Sequence, residues 1–141
     1  MRKPWSSSIF LTAAALLTGC GDKPPAAAEP EGDRWLLTAI GTAAMPTDGA
    51  AWLRFDDDNQ LVGSTGCNSF NAAYRRNASS LYVSALALTR KACPEPQAAT
   101  EQHFVAALEA AVSVTIDGER MTIESEAPNG QLAFNRSGAS R

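Results

Sequence analysis

Two of the three cysteines, the single histidine and a run of three aspartates are the residues of this chain whose types raise the question of catalysis or metal binding. Cys67 sits within "GSTGCNSFNAAY", Gly63 to Tyr74, and Cys93 within "RKACPEP". A cysteine nucleophile needs a base beside it, and the single histidine, His103, follows Cys93 in a stretch with helical periodicity. Two cysteines and a histidine would make three ligands of a structural zinc site with no evident fourth. Asp56, Asp57 and Asp58 look like a metal loop at first glance. They lack the spacing and the closing glutamate of an EF-hand, and they read better as a solvated hairpin turn. No acid–base pair stands at a spacing that supports catalysis. The expectation is therefore no catalytic residue, no metal site and no cofactor. For the cysteines, a disulfide, free thiols and a metal-binding or catalytic pair are separate readings, and the compartment weighs between them.

The N-terminus speaks to the compartment. "MRKPWSSSIFLTAAALLTGC" begins with Arg2 and Lys3, continues with an apolar run from Ile9 to Leu17, and ends in small residues before Cys20. The run is shorter than the ~20 apolar residues that span a bilayer, so it reads as a signal peptide. Leu17-Thr18-Gly19-Cys20 resembles the lipobox of bacterial lipoproteins. That resemblance implies cleavage after residue 19 and acylation of Cys20, with each buried CH2 contributing ~0.8 kcal/mol to anchoring. Gly21 stands where aspartate would favour the inner membrane in enteric bacteria, which points to the periplasmic face of the outer membrane. Cys67 and Cys93 then remain as an even pair in an oxidising compartment, which suggests a disulfide. By the chain-entropy model such a bridge stabilises by roughly 3.5 kcal/mol.

The formal charge is −3, and loss of Arg2 and Lys3 with residues 1–19 takes it to −5. Basic residues are scattered, with Arg75-Arg76 and Arg90-Lys91 as the pairs after the signal, so nucleic acid has no electrostatic footprint. Within the lipidated N-terminal segment, residues 20–32, "DKPPAAAEPEG" from Asp22 to Gly32 carries no large apolar residue and reads as a flexible tether. One domain follows, 33–136, and 137–141 reads as a frayed tail.

The elements that must position the cysteines are mostly short strands. "RWLLTAI", "AWLRF", "QLVGST", "SLYVS", "ALALTR", "VSVTI", "RMTIES" and "QLAFN" alternate or carry β-branched and aromatic residues, with turn chemistry between them. "DDDN" and Asp117-Gly118 mark hairpins. One segment, Gln97 to Val112, changes period: Phe104, Leu108 and Ala111 share a helix face, with Glu101, Gln102 and Glu109 read as lying elsewhere. His103 falls at the edge of that helix.

These pieces, in this order, resemble the META domain family of HslJ-like bacterial lipoproteins. Trp35-x-Leu37 is similar to the family's opening strand, and Phe55 through "LVG" to its first hairpin. Gly66-Cys67-Asn68, with Phe70 and Tyr74 after it, is similar to its central motif. Thr89 and Ala92-Cys93 are similar to its second cysteine segment, and Glu101, Phe104 and Leu108 to its helix. Ala72 and Lys91 depart from the family, where glycine and an apolar residue are common. The resemblance implies an α+β, mostly β fold: a curved antiparallel sheet, close to an open barrel, with one main helix packed against it. It brings no catalytic residues. The chain is expected to be a monomeric, non-enzymatic envelope lipoprotein, held to the membrane at Cys20, with an interaction or envelope-stress role and an unnamed envelope protein as partner. A module for a lipid or small apolar ligand is the alternative, and a hydrolase built on Asp56–Asp58 and His103 a weaker one.

Overall fold

The computed structural model describes residues 29–138 apart from 47 and 49. The signal peptide, Cys20 and most of the tether lie outside the described residues. Ten strands are described: β1 (Arg34–Ile40), β2 (Ala43–Ala44), β3 (Ala51–Asp56), β4 (Gln60–Thr65), β5 (Ser69–Asn77), β6 (Ser80–Val83), β7 (Ala87–Leu88), β8 (Ala111–Asp117), β9 (Arg120–Ser125) and β10 (Leu132–Arg136). The α-helix among them is α1 (Gln97–Glu109), between β7 and β8.

Eight strands close into an antiparallel barrel in the order β1-β3-β4-β5-β6-β8-β9-β10 and back to β1. The sheet is therefore closed, not the open barrel expected. Closure comes from β10, which pairs with β1 from Trp35↔Arg136 to Ile40↔Leu132. A bulge between Leu37 and Ala39 moves the inward register, so that Trp35, Leu37 and Ile40 all point into the core. β2 extends β1, and β7 pairs with β5 above β6. The joint between β6 and β8 is thin, with Ser80↔Ser113 as its paired residues.

β5 was not expected as a strand. Phe70, Ala72 and Tyr74 alternate inward, but Asn71, Ala72, Ala73 and Asn77 are poor strand formers that hid the period. Ala72, at the position where glycine is common in the family, packs within this strand. Gly63 on β4 faces Phe70, and a Cβ there would lie 2.2 Å from the Trp52 carbonyl oxygen and 2.6 Å from the Phe70 ring. The aromatic ring covers the glycine, and any larger residue would push it off.

The helix is shorter than its expected span. It stops at Glu109, and Ala111 and Val112 begin β8. Phe104, Ala107 and Leu108 are fully buried. The Phe104 ring meets Phe70 on β5 and Phe134 on β10, at centroid distances of 5.8 and 6.4 Å. β5 and β10 stand opposite each other around the ring of strands, so α1 plugs one end of the barrel. The interior is filled by side chains, Trp35, Phe55, Leu61, Phe104, Leu132 and Phe134 among them, all without solvent exposure.

The other end is built differently. The β3–β4, β5–β6 and β8–β9 turns lie there, together with residues 29–33 and Ser137. The last residues of the expected tether are docked: the Trp35 indole donates to the Pro30 carbonyl at 3.1 Å, and the Gly32 N–H donates to that of Phe55. Ser137, in the expected tail, donates its N–H to Arg34.

Candidate functional site

At the helix end, β4 turns into β5 through Thr65-Gly66-Cys67-Asn68. Gly66 holds φ +98°, a left-handed value that a side chain resists. The Thr65 N–H donates to the Asn68 carbonyl at 2.8 Å, and the Asn68 N–H donates to the Thr65 hydroxyl at 2.9 Å. The turn places Cys67 beside Cys93, and the two are joined by a disulfide with Cα atoms 6.1 Å apart.

Thr65 and Asn68 are the buried polar residues among those described, at 4% and 3% exposure. A buried amide needs partners for both ends, and Asn68 has them. Its oxygen accepts from the Lys91 N–H at 2.8 Å and the Thr89 hydroxyl at 2.9 Å. Its nitrogen donates to the Glu101 carboxylate at 2.9 Å and lies 3.3 Å from Cys93 Sγ. The Thr65 hydroxyl donates to the same carboxylate. Glu101 therefore faces inward, against its expected outward position. The spacing carried that signal: Glu101, Phe104 and Leu108 are separated by three and four residues and share a helix face. Disulfide and amide together fix the 89–93 segment to the barrel.

That segment forms one wall of an open groove of about 720 Å³. Leu86, Leu88 and residues 89–92 make this wall, and the outer stripe of α1, from Gln102 through Val105 and Ala106 to Glu109, makes the other. The Glu109 carboxylate accepts from the Leu86 N–H at 2.7 Å and ties the walls at one end. At the other end Arg90 and Lys91 are exposed and form no ion pair among the described residues. Lys91, the departure from an apolar residue, faces solvent.

The residues with raw catalytic character are not brought together. Asp56, Asp57 and Asp58 lie at the turn end, and His103 is exposed on the plugging helix at the opposite end. Asp56 is engaged by Arg54, whose hydrogen bond lowers the aspartate's pKa. No group of three metal-ligating side chains is found among the described residues. No helix there is long and apolar enough to cross a membrane.

The family model of the META domain matches residues 28–139. The chain belongs to the META domain family. Two solved structures share the fold of this META domain. One, an NMR structure of a protein from Burkholderia xenovorans, is 21% identical, covers 98% of this chain and 99% of its own, and superposes with a TM-score of 0.60. The other, also an NMR structure, is 21% identical, covers 73% of this chain and 87% of its own, and has a TM-score of 0.60. At this identity the likeness is one of fold. No curated protein matches the chain.

Proposed function

We propose that this META domain chain is a non-enzymatic lipoprotein of the cell envelope that holds a protein partner at the membrane. The observation that carries the reading is the packed barrel. With Trp35, Phe55, Phe104 and Phe134 filling the interior, recognition falls to the outer surface. A lipid or small apolar ligand would have to sit outside the barrel, which is why the binding-module alternative ranks second. The order of Arg2-Lys3, the apolar run and Leu17 to Cys20 supports acylation of Cys20. Gly21 after the cysteine supports the outer membrane, with the domain facing the periplasm. An envelope-stress role is consistent with the family resemblance.

Fractionation and crosslinking in intact cells test this together. The native chain should sediment with the outer membrane, Cys20→Ala should not, and formaldehyde should give a discrete adduct of the native chain with another envelope protein. A native chain recovered wholly in the soluble fraction refutes the anchor. A chain that stays uncrosslinked at its natural abundance refutes the partner.

A further inference from the structure

We propose that the gap between β7 and α1 receives an extended, acidic segment of the partner protein as an added β-strand. The proposal rests on the partner reading above and names its surface and chemistry. The gap exists because a barrel joint fails partway along. β6 meets β8 at Ser80↔Ser113, and the Val114 N–H donates to the Ser79 carbonyl. Above that point the two sides diverge. β7 continues the β6 side, still paired to β5, while α1 occupies the space on the β8 side.

β7 therefore has an edge with no strand partner among the described residues. The Thr89 N–H donates to the Ser69 carbonyl at 3.0 Å, and the register runs on through Phe70↔Leu88 and Asn71↔Ala87. In an antiparallel ladder, hydrogen-bonded and non-hydrogen-bonded pairs alternate. The Leu88 N–H and carbonyl thus point away from β5, toward the gap. Strand addition to such an edge supplies main-chain hydrogen bonds, with alternate side chains read by the flanking walls.

The walls specify what enters. Leu86, Leu88, Val105 and Ala106 offer apolar contacts. The carboxylates of the lining are already engaged: Glu101 by Asn68 and Thr65, Glu109 by Leu86. Arg90 and Lys91, at the far end, have no ion-pair partner among the described residues. The complementary ligand is extended, apolar at alternate positions, and carries a carboxylate where it passes Arg90 and Lys91. The wall runs from Leu86 to Ala92 with Ala87–Leu88 as its strand, and the Leu86 N–H is held by Glu109, so pairing of the added segment centres on Leu88. It needs little rearrangement, because the disulfide and Asn68 already hold that wall in place.

The test uses the full-length chain, 15N-labelled, in phospholipid nanodiscs. The probe is a six-residue peptide alternating valine and glutamate. Saturable shifts of the Leu88, Arg90, Val105 and Ala106 amides are expected, and Arg90→Glu/Lys91→Glu should weaken binding by about tenfold. The same peptide N-methylated at its valines should lose binding, as should a valine–lysine peptide. Equal binding of either control, or no shifts at millimolar acidic peptide, overturns the proposal. So does lauric acid shifting these amides where the peptide does not, which would make the gap an amphiphile site. In cells, a photo-crosslinker at Val105 should capture the partner, and one at Trp52, on the outer face of β3, should not. Adducts from Trp52 alone reject the gap and leave the partner reading standing; adducts from neither position reject both.

Discussion

The two ends of the barrel are made by different means. At the turn end Asp57–Asn59, Ala78 and Gly118 reverse neighbouring strands within a few residues, and the distant contacts there are made by residues 29–33 and Ser137, with Gly32 bonded to Phe55, Glu31 paired with Arg76 and Ser137 bonded to Arg34. The helix end is assembled from segments far apart in the chain. Cys67 reaches Cys93, Thr65 reaches Glu101, and Leu86 reaches Glu109. Local turns tolerate change because they carry few contacts, whereas the helix end carries buried contacts whose loss cannot be made up nearby. The groove lies at the end closed by the disulfide and the buried amide of Asn68.

If that contrast is right, the largest loss should come from the helix plug. Leu108→Ala removes a fully buried side chain and should cost about 2–5 kcal/mol in urea unfolding. A loss below that range would mean that α1 contributes little to the barrel. The disulfide comes next. Cys67→Ser/Cys93→Ser should lose up to about 3.5 kcal/mol, and labelling of denatured chain purified without reductant should find both thiols blocked. Asn68→Ala strands the Lys91 N–H and one side of Glu101, and should cost about 1–3 kcal/mol.

The turn end should respond weakly, and to pH. Burial, then the nearby Glu31 carboxylate, raises the Tyr74 pKa above its ordinary 10.0. The folded state therefore keeps the phenol protonated where the unfolded state has begun to ionise. Its stabilising contribution is complete below about pH 10 and declines as pH climbs toward the raised value. The alkaline fall in melting temperature should be shallower in Tyr74→Phe than in the native chain; identical slopes would place the titration elsewhere. Smallest of all, Asp58→Gly, at a φ of 62° that glycine adopts freely, should change stability by no more than about 0.5 kcal/mol. A larger loss would show that the β3–β4 turn itself carries distant contacts.

Legibility in the sequence followed the same division. β1, β3, β4, β9 and β10 stood out because alternation and turn residues are local signals. Asp117-Gly118 marked its hairpin, and the helix was visible from its period. β5 escaped because its inward positions, Phe70, Ala72 and Tyr74, are separated by residues with little strand preference. Barrel closure escaped because the Trp35↔Arg136 pairing joins positions that no local window contains. The disulfide was inferred from cysteine count and compartment, which needs no geometry. The groove had no signature, since Leu86, Arg90 and Val105 come from three segments that acquire a common surface only on folding. Glu101 was a misreading: its spacing from Phe104 placed it on the inner face, and its charge argued for the outer one.

The pairing of β1 with β10 also has a consequence in time. A chain made from its N-terminus presents Trp35 and Leu37 long before Phe134 and Leu132 exist to cover them. Until the last strand arrives, one side of β1 is an open edge backed by large apolar residues, the kind of surface on which incomplete chains associate. Loop closure over that separation adds a slow step that local hairpins do not share. A nascent chain halted before Leu132 would hold its early hairpins and still lack a closed barrel, so β10 governs when the molecule becomes safe from its neighbours.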